Sequence, residues 1–397
     1  MAEAIRRWTG PAAWTAALAV LAYTALHHML TMPVAAHAWN DTYVYLEAAQ
    51  RFLAHPAHLY DGALAQLHRA TAQNAFLYPP LGILPFLALV PLQHAAGMPL
   101  AAGVWTVVDT VALAAAVVLF SRRAGCSWAL SGVVLLIAAL SLPAQWEINS
   151  GQVDGVELLL LALSLRHAER AVSGVWLGLA VAFKPIAVVV LLLPLLRRQP
   201  QVAAVACGVA LAVNAVWIPF LGLPVASEYL TRVLPFTMFS VVHDPNNISL
   251  ATRLQDILGG VQVTKRTPAG FAVPHPVDAL ALLWTIRVLT LAVWARTVTR
   301  HGVDDVTALA VTLATVPLLA ATLWPHYFLF LLPLGIVLIR SPLVAARIAA
   351  WAGLTLTVYR WRSEVLWVSV PVLWCAALAA TQGERMSARI ATPAHAH

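Results

Sequence analysis

Two charged residues stand where a charge is hardest to keep. Asp41 follows Trp39 and Asn40 and precedes the aromatic pair Tyr43 and Tyr45, and Lys184 stands between Phe183 and Pro185 in an apolar stretch. An ammonium in such surroundings needs an anionic partner, or a stem long enough to reach the headgroups. Asp41 is the one acid of its immediate stretch, and the alternative to a chemical role is a helix cap ahead of Thr42. Further along come Gln152 and Asp154 in Ser150-Gly151-Gln152-Val153-Asp154, Asn246 and Asn247 ahead of Ile248-Ser249, and His326 in Trp324-Pro325-His326. Acids, a base and amides brought to one face are what a cavity enzyme needs, whereas a transporter keeps its ionisable groups near the midplane.

The elements that must position them are membrane helices. The 397 residues are 61% hydrophobic and 10% charged, far from the composition of soluble domains. Apolar runs fill the chain almost end to end, which leaves no room for a soluble catalytic domain, so the reading is one all-α polytopic domain over 1–381 with a polar, disordered tail at 382–397. The net charge of +7 comes from arginines scattered in pairs between the runs, a record of orientation that calls for no nucleic acid. The first run, behind Arg6 and Arg7, reads as an uncleaved anchor that delivers Asp41 to the extracytoplasmic side.

Two long loops are expected on that side, at about 32–98 and 223–275, with a short interfacial helix from Thr42 to Ala54. The proline-rich segment from Tyr78 to Gln93 decides the topology. Read as re-entrant or interfacial, it places Arg122–Arg123, Arg166, Arg197–Arg198, Arg296 and Arg340 on the inner side, as the charge rule demands. The stretch 171–196, with arginines at both flanks, becomes a hairpin turning at Lys184, and Gly174 and Gly178 allow one arm to pack closely on a neighbour. The count is about twelve spans with both termini inside. Asp41, Tyr78, Glu147, Asn149, Gln152, Asp154, Lys184, His243, Asp244, Asn246, Asn247 and His326 then fall near outer ends of spans, and Asp109 is the main exception.

In this order and spacing, Asp41-Thr42-Tyr43-Val44-Tyr45, Phe76-Leu77-Tyr78-Pro79-Pro80, Ser150-Gly151-Gln152-Val153-Asp154, Phe183-Lys184-Pro185, Asn246-Asn247-Ile248-Ser249 and Trp324-Pro325-His326 resemble glycosyltransferase family 87. The resemblance covers about 41–333. It departs at Asp154, where the family usually has asparagine, and at Trp324-Pro325-His326, where a longer Ser-Pro-aromatic-His-His pattern is usual. It implies a GT-C-type bundle and an inverting transferase that moves mannose, or alternatively arabinofuranose, from a polyprenyl-phosphate donor to a lipid-linked or envelope glycan acceptor. The implied place is the outer face of a bacterial cytoplasmic membrane. Such a reaction needs one base for the acceptor hydroxyl and no metal or other cofactor, because the phosphate leaves as an anion. The resemblance implies Asp41 as that base, Lys184 and His326 on the donor phosphate, and Tyr45, Tyr78, Gln152, Asp154, Asn246 and Asn247 against the substrates. The alternative from another class is a transporter or flippase of lipid-linked sugars.

Other chemistries find no motif. Cys126, Cys207 and Cys375 have no CxxC spacing, and the 14 histidines have no HExxH-like constellation, so neither a disulfide framework nor a metal site is expected. Walker, GxGxxG and serine-elbow patterns are missing from the sequence.

Overall fold

The computed structural model describes residues 2–31, 40–63, 75–239, 242–243, 246–259, 271–272, 277–358 and 365–391. Trp39, Asp244, Lys265 and Arg266 lie outside them, as does the side chain of His243. The described chain is helical apart from a two-residue antiparallel ladder pairing Val242 with Ala272 and His243 with Phe271.

The principal helices are α1 (Ala2–Thr31), α2 (Asp41–Ala54), α3 (Leu84–Ala96), α4 (Met98–Arg123), α5 (Trp128–Leu140), α6 (Leu142–Ser150), α7 (Asp154–Ser164) and α8 (Ala171–Phe183). After them come α9 (Pro200–Ala215), α10 (Leu250–Gly259), α11 (Val277–Val298), α12 (Asp305–Leu313), α13 (Leu332–Ile339), α14 (Val344–Leu356) and α15 (Leu366–Ala391). Among the described residues four stretches are long and apolar enough to cross a bilayer, namely Gly10–Thr31, Met98–Arg123, Pro200–Leu221 and Leu280–Val298, and the pair α5 and α6, bent by 61°, is a fifth if it counts as one broken span. The remaining apolar helices among the described residues have 10–17 residues, so by length and composition four or five spans stand there beside the dozen expected of the whole chain. Pro185 and Pro325 each open a tight 3-10 run ahead of a short α-helix, because proline has no N–H for the helical ladder. At the other extreme α15 runs on through 382–391, where a disordered tail was expected. Residues such as Glu384, Arg385, Met386 and Ala388 are good helix formers, and no proline interrupts them.

The arginine-bearing turns gather at one end of the bundle. α1 starts there, with Trp14 donating to Trp128 O at 2.9 Å and Gly10 seated on Ala129. Arg122 stacks on Trp128 and Arg123 reaches Arg166 O. Arg197 pairs with Asp305 at 2.9 Å and donates to Val298 O and Val303 O. The other end of α1 packs Met29 on Gly103 and joins His28 to Asn40 at 3.0 Å. α4 therefore starts at this opposite end, where Tyr78 also lies. The segment Pro80–Ala96 leaves from that end and brings His94 against Gln50 of α2.

The hairpin at Lys184 is present. Ser173 and Leu177 on its first arm share a cleft with Leu193 and Arg197 on its second. Gly174 and Gly178 face α9, where a Cβ on either would meet the carbonyl of Val202 or Ala206, so the close approach rests on glycine.

Candidate functional site

The site is built on three chain breaks at the end opposite the turns that carry Arg122, Arg166 and Arg197. In the first, Asn40 caps α2, its side chain accepting from Thr42 N at 2.9 Å. Asp41 is the first helical residue and not the cap, so its carboxylate is free for other work. In the second, α6 ends in Gly151 with φ of +63°, and Gln152 and Val153 lead into α7. In the third, α8 ends at Lys184, and Pro185 forbids its continuation.

The first two breaks are locked together. Thr42 Oγ1 donates to Gly151 O at 3.0 Å, and a Cβ on Gly151 would overlap the Thr42 hydroxyl and come 2.8 Å from Asn40 Oδ1. Gly151→Ala is expected to cost about 1–2 kcal/mol for the left-handed backbone alone, and more as Thr42 is pushed aside. A lowered melting temperature together with lost activity is the expected reading, and a wild-type melting curve would contradict the fit.

Gln152 joins all three breaks. Its backbone carbonyl accepts from Trp105 Nε1 at 2.9 Å, and its amide donates to Asp41 Oδ2. Its side-chain oxygen accepts from Tyr45 at 3.2 Å, Lys184 at 3.4 Å and Tyr78 at 3.5 Å. Carboxylate and ammonium are thus held to one amide group. Burial pushes the Asp41 carboxyl up to about 6, against the downward pull of the Lys184 ammonium and the Gln152 amide.

Behind Lys184 lies a buried ion network. Its ammonium contacts Asp154 Oδ1, and His326 Nδ1 lies 2.6 Å from Asp154 Oδ2 and 3.4 Å from Glu147 Oε2. Asp154 is 0% exposed, Lys184 and His326 1%. Glu147 Oε1 accepts from the N–H groups of Asp154 and Gly155, and Asp109 Oδ1 from that of Val156. Two acids thereby satisfy the first donors of α7, which explains why Asp109 stands inside a membrane helix. Glu147, Asp154 and His326 offer three ligating atoms within 4.8 Å of one another. The Lys184 ammonium already fills the cation's place beside Asp154, and a second cation there would be repelled.

A cavity of about 150 Å3 opens in front of this network. Asp41 and Lys184 both line it, with Tyr45, Tyr78, Trp324 and Tyr327 as aromatic walls and Phe236 and Met238 as apolar ones. Lys184 Nζ lies 4.5 Å from the Tyr327 ring centre and 5.2 Å from that of Tyr78, close enough for the ring faces to share in holding the charge.

The expected site residues therefore divide. Asp41, Lys184, Tyr45 and Tyr78 meet at the cavity. Gln152 holds them from behind, and Asp154 and His326, expected against substrate and phosphate, are sealed into the ion network. Asn247 is buried too: its Oδ1 accepts from Ser249 N at 3.1 Å and Leu323 N at 2.9 Å, which fixes the turn ahead of Trp324. Asn246 is half-buried and does not line the cavity. Glu147 is expected only among the polar residues near outer span ends, and Trp324 only as part of a motif, whereas Tyr327 could be suspected from its neighbour His326.

No protein of curated function and no solved structure matches the chain significantly. A family model does, over residues 76–323, which include Tyr78, Gln152, Asp154, Lys184 and Asn247 but neither Asp41 nor His326. Since that match spans more than half of the 397 residues and contains the lysine hairpin and the glutamine that ties it to Asp41, the chain belongs to glycosyltransferase family 87.

Proposed function

We propose that this membrane glycosyltransferase moves a sugar, mannose in preference to arabinofuranose, from a polyprenyl-phosphate donor to a hydroxyl of a lipid-linked or envelope glycan. The proposed place is the extracytoplasmic face of a bacterial cytoplasmic membrane. The observation that carries the reading is that one carboxylate and one ammonium, Asp41 and Lys184, line the same cavity. Asp41 takes the proton of the acceptor hydroxyl while its oxygen attacks the anomeric carbon from the side opposite the phosphate, inverting the centre. The bond from that carbon to the phosphate oxygen breaks, the electron pair stays on the phosphate, and the Lys184 ammonium offsets the growing charge. No step calls for a metal. Tyr78, Trp324 and Tyr327 offer flat faces to the sugar, and the walls formed by Phe236 and Met238 suit a prenyl chain. Asp154 and His326 act one layer back, keeping the lysine charged and in place.

Purified protein in proteoliposomes, given labelled polyprenyl-phosphate-mannose and a native lipid extract, is expected to release polyprenyl phosphate and form a labelled glycolipid. Donor crossing the bilayer with no product formed would instead support a flippase.

The pH dependence follows from the Asp41 carboxyl near 6. The protonated acid cannot accept a proton, so kcat/KM is expected to rise with pH through about 6 and level off above it. The donor phosphodiester does not titrate in that range. Gln152→Leu removes the N–H that favours the carboxylate, so the rise should move to higher pH. An unshifted profile would show that the amide does not tune the base.

A further inference from the structure

The arginine end of the bundle holds a second and larger cavity, of about 290 Å3. It opens between the last turn of α4, the turn at Gly302–Asp304, the end of α13 and the middle of α15. Val306, Leu334, Leu338 and Ala377 make apolar walls, and Arg123 and Arg340 line it from the C-terminal ends of α4 and α13. Both arginines are exposed, and neither forms an ion pair among the described residues. Asp304 also lines the cavity, but its Oδ1 accepts from Thr307 N at 2.6 Å as the cap of α12. Arg123 spends one long contact, 3.4 Å, on Arg166 O, and a guanidinium has five N–H donors.

A basic residue at a helix C-terminus offsets the partial charge of the last carbonyls, which accounts for either arginine alone. It does not account for two arginines, from different helices, lining one cleft that also has apolar side chains in its wall. Just past Pro342, α14 presents Val344 and Ile348, 56% and 64% exposed and four residues apart on one face. Paired cations at the mouth, apolar walls inside and an apolar stripe leading away match one chemistry, a phosphate attached to acyl chains. Guanidinium forks suit phosphate oxygens, and basic pockets between spans suit anionic headgroups.

We propose that this cleft binds an anionic phospholipid of the adjacent leaflet, its phosphate between Arg123 and Arg340 and an acyl chain along Val344 and Ile348. The site is independent of the sugar-transfer chemistry at the other end.

The test uses the full chain in nanodiscs or detergent with phosphatidylglycerol and phosphatidylcholine of equal chain length, the retained lipid being read by native mass spectrometry. Two arginines should favour the anionic lipid about thirtyfold, and Arg123→Gln with Arg340→Gln should bring the ratio close to one while sugar transfer continues. Equal retention of both lipids by the wild type would overturn the proposal, as would an undiminished preference in the double variant. Displacement of the lipid by millimolar inorganic phosphate would also overturn it, since the cleft would then be a site for a soluble anion.

Discussion

Asp41→Asn is expected to slow sugar transfer by about 10²–10⁴-fold, the usual worth of a positioned general base, while the donor still binds. The substitution keeps the shape of the side chain, and its amide oxygen can still accept from Gln152. The cap of α2 is Asn40, so the helix start is untouched, and Thr42 keeps its bond to Gly151 O. What disappears is the capacity to take a proton. The change also removes a negative charge from a cavity that must admit an anionic phosphate, so donor binding is expected to hold or tighten. Single-turnover transfer from labelled donor and equilibrium binding of the same donor separate the two effects. Asn40→Ala provides the contrast, costing about 1 kcal/mol of stability through the lost cap with the carboxylate still present. Transfer by Asp41→Asn within tenfold of the wild type would remove this residue from the chemistry.

How far the sequence reveals such a site depends on what fixes each residue. The Lys184 turn was legible because arginines at both flanks of an apolar stretch leave a hairpin as the cheap solution, and the structure contains it. The same argument placed Asp41 and Tyr78 at the end away from the arginines. The anion that Lys184 requires was legible as a need but not as a residue. Asp154 meets that need from thirty positions away in the chain, and a carboxylate beside Gln152 looks the same on paper whether it faces a sugar or a lysine. His326 was read toward the phosphate for the same reason, because an aromatic neighbour and a proline do not say which side of Asp154 the ring occupies. The lengths of the spans are less legible, because the runs behind Pro185 and Pro325 open as 3-10 turns and leave only short α-helices. Gly151 carried a usable clue, because a glycine between two helices marks a left-handed turn, and that turn aims Gln152 at Asp41.

Lys184→Met separates the lysine's two duties, which are to neutralise Asp154 and to face the cavity. The ion pair is fully buried, and breaking such a pair from one side costs roughly 3–5 kcal/mol because the remaining charge has no solvent. His326 offsets part of that charge from the far side of Asp154, so the lower figure is the better expectation. The single variant should be visibly unstable in size-exclusion chromatography and thermal melts. Adding Asp154→Asn removes the stranded charge and leaves an amide that can still accept from His326 and an apolar stem in place of the lysine. The double variant is therefore expected to regain most of the lost stability, as paired removal of a buried ion pair often does. It should not regain transfer, because nothing is left to offset charge on the departing phosphate, and a loss of about 10²–10³-fold is the scale for one such electrostatic group. Donor affinity should fall alongside the rate, in contrast to Asp41→Asn. A stable double variant with wild-type turnover would make the lysine purely architectural, and one as unstable as Lys184→Met alone would show that Asp154 is not what the lysine is needed for.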